Sequence, residues 1–197
     1  MANTSEGFYD RFSRFYPLVE IFLKPQKRKL FNEINRYPHG QLLEIGIGDG
    51  SNLKYYKAHE ITGVDTSRNM LAEAGKKRKA CVQLFHMDGQ TLSFRDEAFD
   101  YVVLSHVIAV VENPEKLLEE VYRVLKPDGR VFVLNHFTPN NALKYVDKVF
   151  GLVSRLFHFR CEFMQSSLQR LQRFKLLQEF NAGLFSYFKI LVYEKNR

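Results

Sequence analysis

Short apolar runs alternate with helix-patterned stretches through the middle of the chain. Five runs have the length and aliphatic character of buried parallel strands, and they lie at residues 41–47, 60–64, 82–87, 101–105 and 130–137. Helical periodicity is found from near residue 51, over 67–79 and over 114–125. This β–α–β order with short connections predicts an α/β fold built on a parallel, doubly wound sheet.

The segments outside this alternation have other patterns. Residues 126–129, Lys-Pro-Asp-Gly, predict a turn before the fifth strand, and residues 174–181 and 187–194 predict a closing strand pair. Residues 8–37 are aromatic and basic, and Pro17 and Pro25 interrupt their helical spacing, which predicts two or three short helices. Residues 141–160 carry an apolar stripe with Lys and Arg off it, which predicts an inserted basic amphipathic helix.

Composition narrows the class of protein. A chain of 197 residues with 45% hydrophobic and 26% charged residues is typical of one globular domain. Cys81 and Cys161 lie far apart without a CxxC pattern, so we expect neither a disulfide framework nor a metal site, and we expect a reducing, cytosolic setting. No signal peptide or membrane span is predicted. The net charge of +7 favours contact with phosphate, on nucleic acid or on anionic lipid.

A glycine-rich segment joins the first strand to the region after it. Gly46, Gly48 and Gly50 alternate in a GxGxG pattern, where glycine permits a sharp turn and the close approach of a ligand. Asp65 stands nineteen residues beyond Gly46, a spacing that suits a carboxylate accepting hydrogen bonds from both ribose hydroxyls of a nucleoside. No basic residue in the loop meets a phosphate, and Glu44 before the loop suits a cationic amino-acid end of the ligand.

Residues 42–50 with Asp65 resemble the class I S-adenosylmethionine-dependent methyltransferases, in the branch that includes the ubiquinone and menaquinone enzymes. The match continues through residues 63–67, 87–89, 99–103 and 123–129, and it covers about half of the chain. Asp128-Gly129 replaces the usual Gly-Gly. The resemblance implies a Rossmann-like, mostly parallel seven-stranded sheet with an antiparallel C-terminal strand and an N-terminal helical lid. It also implies S-adenosyl-L-methionine as cofactor, with S-adenosyl-L-homocysteine as product.

The same resemblance assigns further residues to the cofactor site. They are expected at the carboxyl edge of the sheet, where ligands of such folds bind. Thr66 and Met70 belong to the ribose turn and Asp88 and Gly89 to the adenine loop. Ser105 and His106 end the fourth strand at the same edge, where His106 can contact cofactor or substrate or can cap the following segment. The chain is expected to be one domain, with a lid or membrane-facing segment at 1–40, a cofactor-binding core at 41–137, basic helices at 141–172 and closing strands at 173–197.

Three segments narrow the resemblance to the bacterial phospholipid N-methyltransferases, namely residues 9–16, 133–137 and 141–160. That likeness implies stepwise methylation of phosphatidylethanolamine toward phosphatidylcholine by a cytoplasmic protein bound peripherally to the inner face of an anionic membrane. His136 is the candidate that positions or deprotonates the acceptor. Tyr9 and Tyr16 are candidates for the catalytic site, with rings near the sulfonium of the cofactor; Tyr16 is thus also a cofactor-binding candidate.

Other interpretations of these residues stay open. The aromatic side chains of the N-terminal segment are also typical of core packing, and both basic helices can pack on the domain itself. The acceptor can be a small apolar molecule such as a quinone precursor, or the domain can bind the cofactor without catalysis. Nucleic acid is not expected as a partner, because Ser105-His106-Val107-Ile108 stands where base-amine methyltransferases carry an Asn-Pro-Pro-Tyr-type motif. The sequence leaves the oligomeric state open.

Overall fold

The structure, a computed structural model, describes residues 16–136, 168–182 and 188–196, with side chains from Pro25 onward except that of His136. Within these ranges the α-helices are α1 (Tyr16–Ile34), α2 (Arg68–Lys77) and α3 (Pro114–Val124). The strands are β1 (Gln41–Ile45), β2 (Glu60–Asp65), β3 (Val82–His86), β4 (Phe99–Ser105), β5 (Leu125–His136), β6 (Phe174–Ala182) and β7 (Phe188–Lys195). Two short 3₁₀-helices lie at Leu53–Tyr55 and Gln169–Arg173.

The described strands form one seven-stranded sheet in the order β3-β2-β1-β4-β5-β7-β6. Pairings from β3 through β5 are parallel, and β7 pairs antiparallel with both β5 and β6. The predicted sheet is therefore confirmed, with its closing strand pair. Because β1 leads into β2 on one side of the sheet and β4 lies on its other side, the strand order reverses next to β1. Ligands of open α/β sheets bind at such a reversal, beyond the carboxyl ends of the strands.

Side-chain alternation along the strands divides the core between the two faces of the sheet. On one face, Leu43, Ile45 and Leu104 pack with α3, and on the other, Leu42 and Val103 pack with the carboxyl-terminal half of α1. Strand residues of this kind are almost completely buried on both faces, as helices on both sides require. The rigid centre of the sheet thus fixes the carboxyl ends of β1, β2 and β4.

Local capping sets where two of the helices begin. The Oγ of Ser67 accepts a hydrogen bond from the backbone N–H of Met70 at 3.3 Å, and α2 starts at the next residue. The Oδ1 of Asn113 accepts from the N–H of Lys116 at 3.1 Å, and Pro114 occupies the first position of α3. The predicted helices at 67–79 and 114–125 are confirmed, with α2 ending two residues early.

Three sequence predictions about the elements were wrong. Pro25 does not divide residues 16–34, which form the single helix α1. The helix predicted from near residue 51 is reduced to Leu53–Tyr55, because this part of the chain turns back quickly into β2. Residues 126–129 belong to β5, whose pairing with β4 shifts register between Phe99 and Tyr101, and Asp128 has a φ of 59° there. The predicted turn is therefore a β-bulge within β5.

The predicted basic helix at 141–160 lies outside the described residues, as does the aromatic segment before residue 16. Among the helices that the structure describes, none is long and apolar enough to cross a membrane.

Candidate functional site

The glycine loop after β1 forms the centre of the candidate site. Gly46, Gly48 and Gly50 have φ values of +71°, +57° and +71°, so all three adopt the left-handed conformation that favours glycine. A Cβ on Gly46 would lie 2.5 Å from Val107, and one on Gly50 would lie 2.9 Å from Ala74. A Cβ on Gly48 would meet no atom of the described residues within 4 Å. The first and third glycines therefore serve packing, while the middle one is not packed against the described part of the chain.

Asp65, at the end of β2, is bound to this loop. Its Oδ2 accepts a hydrogen bond from the N–H of Gly48 at 2.8 Å, and its Oδ1 accepts from the N–H of Ser67 at 2.9 Å. Burial raises the pKa of Asp65 above its usual value, although these backbone hydrogen bonds oppose the shift. The backbone of Thr66 also contributes, and since a carboxylate has about four acceptor positions, at least one remains for a ligand. The structure therefore holds Asp65 against the glycine loop, and its ribose contact stays a prediction.

Thr66 and Met70 both follow Asp65: Thr66 lies just before α2, and Met70 lies in its first turn. Thr66 is exposed, and its carbonyl oxygen lies 2.8 Å from the Nε2 of His86, the last residue of β3. Met70 is half-buried in the first turn of α2. His86 was not singled out from the sequence, because only the register of β2 against β3 places it beside Asp65.

Asp88 and Gly89 lie in the turn after β3. The Oδ1 of Asp88 accepts from the backbone N–H of Gln90 at 2.9 Å, and the side-chain amide of Gln90 donates to both carboxylate oxygens at 3.2 Å. A Cβ on Gly89 would lie 2.5 Å from Ile45 and 3.0 Å from Leu117. Gly89 therefore lets the turn pack closely on the core, while Asp88 stays half-buried at the sheet edge.

Ser105 and His106 end β4 next to the glycine loop, since Ile45 of β1 pairs with Leu104. The Oγ of Ser105 is buried and has no hydrogen-bond partner among the residues that the structure describes. His106 has a φ of 61°, its backbone N–H donates to the carbonyl of Leu134 at 2.7 Å, and its ring lies edge-on to Phe188 with centroids 5.7 Å apart. A non-glycine residue in this conformation is uncommon and marks a constrained strand end.

Glu44, a predicted ligand contact, is hydrogen-bonded to two side chains that follow the glycine loop. Its side chain is completely buried, and its two oxygens accept hydrogen bonds from the side-chain amide of Asn52 at 2.7 Å and the hydroxyl of Tyr56 at 2.9 Å. Burial raises the pKa of Glu44 to about 7, against the opposing effects of these hydrogen bonds and of Lys27. The carboxyl group therefore connects β1 to the segment after the glycine loop, and its contact with a cationic ligand stays a prediction.

Three predicted catalytic residues remain untested. Tyr9 lies outside the described residues, and the side chains of Tyr16 and His136 are likewise not described. The backbone of His136 ends β5, where it pairs with Phe188 of β7. This position places His136 at the same edge of the sheet as Ser105 and the glycine loop.

Comparison with known proteins agrees with this geometry. Residues 43–133 match a family model described as a methyltransferase domain. A phosphatidylethanolamine N-methyltransferase of Cereibacter sphaeroides is 30% identical over 160 residues, which cover 76% of this chain and 79% of that protein. A demethylmenaquinone methyltransferase of Staphylococcus saprophyticus is 28% identical over 201 residues, with coverage of 93% and 85%.

Solved structures show the same fold. A crystal structure from Thermotoga maritima, described as an S-adenosylmethionine-dependent methyltransferase and possible histamine N-methyltransferase, superposes with a TM-score of 0.76 at 22% identity. The match covers 96% of this chain and 99% of that one. The YcgJ protein of Bacillus subtilis gives a TM-score of 0.72 at 18% identity, with coverage of 87% and 98%. At these identities the likeness shows the architecture alone.

Proposed function

The chain belongs to the S-adenosylmethionine-dependent methyltransferases, and from that premise we propose that it N-methylates the headgroup of phosphatidylethanolamine at a membrane surface, stepwise toward phosphatidylcholine. The observation that carries the choice of acceptor is the relative from Cereibacter sphaeroides, which matches most of the length of both chains. The methyl donor follows from the family and is S-adenosyl-L-methionine.

The residues present fit this donor. Among the described residues, nothing packs over Gly48 and the buried Oγ of Ser105 lacks a partner. Asp65 keeps acceptor capacity for a ribose hydroxyl. When bound, S-adenosylmethionine supplies a methyl group activated by a sulfonium. Asp65 would hold the ribose and Asp88 the adenine amine, and the loop of Gly46 and Gly48 would pass beneath the ligand without a Cβ in its way.

The acceptor amine needs a proton acceptor. The amine of phosphatidylethanolamine is cationic at neutral pH, so it must lose a proton before its lone pair can attack the methyl carbon. We assign this task to His136, at the end of β5, and we place the rings of Tyr9 and Tyr16 near the positive charge of the donor. Each transfer forms one N–C bond, breaks one S–C bond and releases one proton.

The membrane contact is part of the same proposal. The net charge of +7 attracts the protein to anionic lipid, and the sequence of residues 141–160 suits a helix lying in the interface with its apolar stripe down. We expect binding to be peripheral and to weaken as salt is raised, because attraction between a basic surface and anionic headgroups is screened.

A second acceptor class has its own support. The demethylmenaquinone methyltransferase of Staphylococcus saprophyticus aligns over 93% of this chain, which is more than the phospholipid enzyme covers. A quinone precursor is apolar and needs a covered pocket but no ammonium deprotonation. The two candidates therefore differ in the chemistry of the acceptor and share the same donor site.

One assay separates them. Purified protein is incubated with methyl-labelled S-adenosylmethionine and anionic vesicles that contain phosphatidylethanolamine, demethylmenaquinone, both or neither. Label in mono- and dimethylated phosphatidylethanolamine supports the proposal, and label only in the quinone supports the second candidate. Asp65→Ala should weaken cofactor binding by about tenfold or more, whereas Glu73→Ala, an exposed carboxylate on α2, should bind normally. Cofactor binding without transfer to either acceptor would reject both.

A further inference from the structure

Gln90 joins two loops at the edge of the sheet. Its backbone N–H and its side-chain amide nitrogen make three donor contacts with the carboxylate of Asp88, at 2.9, 3.2 and 3.2 Å. Its side-chain carbonyl accepts a hydrogen bond from the backbone N–H of Asn113 at 2.9 Å. The turn after β3 is therefore connected through one side chain to the loop that follows β4.

The contact with Asn113 fixes which end of the amide faces Asp88. A backbone N–H can only donate, so the oxygen of the Gln90 amide must point to Asn113 and its NH₂ group must point to the carboxylate. Asn113 is held in turn, because its Oδ1 caps α3 by accepting from Lys116. The orientation of Gln90 thus depends on the start of α3, which is anchored in the core by Pro114 and Leu117.

This arrangement limits what else Asp88 can bind. An ionised carboxylate has about four acceptor positions and no donor, and Gln90 makes contacts with three of them. The position that remains accepts a hydrogen bond from an amino group. It repels a carbonyl oxygen, which has no proton to donate.

We propose that Gln90 is a specificity-determining positioning residue, which orients Asp88 so that it selects a 6-amino purine over a 6-keto purine in the cofactor. The inference rests on the proposed donor site, in which Asp88 meets the adenine amine. Gln90 acts through Asp88 and the loop after β4, and it selects the base without taking part in methyl transfer.

The test measures binding of S-adenosylhomocysteine and S-inosylhomocysteine by calorimetry, with the full chain and three variants. Wild-type protein should prefer the adenine compound by on the order of a hundredfold or more, because the carboxylate of Asp88 loses its hydrogen bond when it faces a carbonyl of the ligand. Gln90→Leu removes the side-chain donor to Asp88 and keeps the backbone N–H, and it should reduce this preference by about tenfold. Gln83→Leu, at an exposed position of β3, is the matched control and should keep the full preference.

Gln90→Glu gives a readout that a purely structural role would not move. The variant still accepts from Asn113, but it replaces the amide donor with a carboxylate that has no proton to give to Asp88. The link to the loop after β4 is thus kept while the donor that orients Asp88 is lost, so the preference for adenine should fall at least as far as in Gln90→Leu.

The possible failures are distinguishable. If neither compound binds the wild-type protein, the donor site itself is wrong. If wild-type protein prefers the adenine compound and Gln90→Leu keeps that preference while remaining folded, the role of Gln90 is refuted. If Gln90→Leu lowers the affinity for both compounds equally, the role of Gln90 is likewise refuted. A residue that only keeps the loop folded would give that result.

Discussion

The buried carboxyl group of Glu44 makes the stability of the fold depend on pH. Its carboxyl group is completely buried between the sheet and the segment after the glycine loop, and burial raises its pKa from 4.5 to about 7. The folded protein therefore retains a proton that the unfolded chain releases at lower pH. The stabilisation that this proton provides is fully present below about pH 4.5 and is lost as the pH rises to about 7.

We expect Glu44→Gln to flatten this dependence. The amide has the shape of the protonated acid and can keep both contacts, accepting from Asn52 and donating to the hydroxyl of Tyr56. Between pH 5 and pH 8, the variant should lose less unfolding free energy than wild type, by on the order of 2–3 kcal/mol. Urea unfolding at both pH values measures the difference. Glu119→Gln, on the exposed side of α3, is the control and should follow the wild-type curve; an unchanged slope in Glu44→Gln would place the titration elsewhere.

At the scale of elements, different glycines of the loop after β1 serve packing and leave room for a ligand. A Cβ on Gly50 would collide with the backbone of α2, whereas a Cβ on Gly48 would meet none of the residues that the structure describes. Both glycines have positive φ values, so alanine at either position is strained by about 1–2 kcal/mol. Only at Gly50 does a collision with neighbouring atoms add to that strain.

Alanine at Gly50 should therefore mainly lower stability, and alanine at Gly48 should mainly lower cofactor affinity. Gly50→Ala is expected to destabilise the fold by about 1–3 kcal/mol more than Gly48→Ala, because Ala74 must move. Gly48→Ala is expected to stay folded and to lose cofactor affinity by about tenfold or more, since its methyl group enters the space that a ligand needs. Thermal unfolding and calorimetric titration with S-adenosylhomocysteine measure the two effects. Full affinity in Gly48→Ala would show that the ligand does not pass over this residue.

At the scale of the molecule, β7 connects both halves of the core. Leu191 faces the core on the α3 side, and its neighbour Ile190 faces the core on the α1 side, both fully buried. By contrast, Leu176 on the edge strand β6 is 42% exposed. β7, the last described strand along the chain, is thus one of the most buried strands of the sheet.

Truncation of either buried side chain should be costly. Ile190→Ala and Leu191→Ala are each expected to lower the free energy of unfolding by about 2–5 kcal/mol, as cavities in packed cores do. Leu176→Ala removes the same number of atoms as Leu191→Ala from an exposed site and should cost under about 1 kcal/mol. Denaturant unfolding at one pH compares all three. A loss at Leu176 as large as that at Leu191 would mean that β6 is covered in solution.

The sequence predicts the sheet, the positions of Asp65 and Asp88, and the turn at Gly46–Gly50, because periodicity and spacing act locally along the chain. It does not predict where Glu44 points, since on a buried strand both faces are apolar and only the packed structure shows that Asn52 and Tyr56 receive the carboxylate. Pro25 within α1 and the bulge at Asp128 were missed for a related reason. Tertiary packing overrides local helix and turn preferences at both places.

The position of β7 between β5 and β6 has a consequence for how copies of this chain associate during folding. While β7 is still unpaired, β5 presents a long row of free backbone groups, and every partly folded copy presents the same row. A strand from a neighbour satisfies that row as well as the chain's own strand does. Refolding from concentrated solution should therefore yield exchanged dimers, in which each copy completes the sheet of the other.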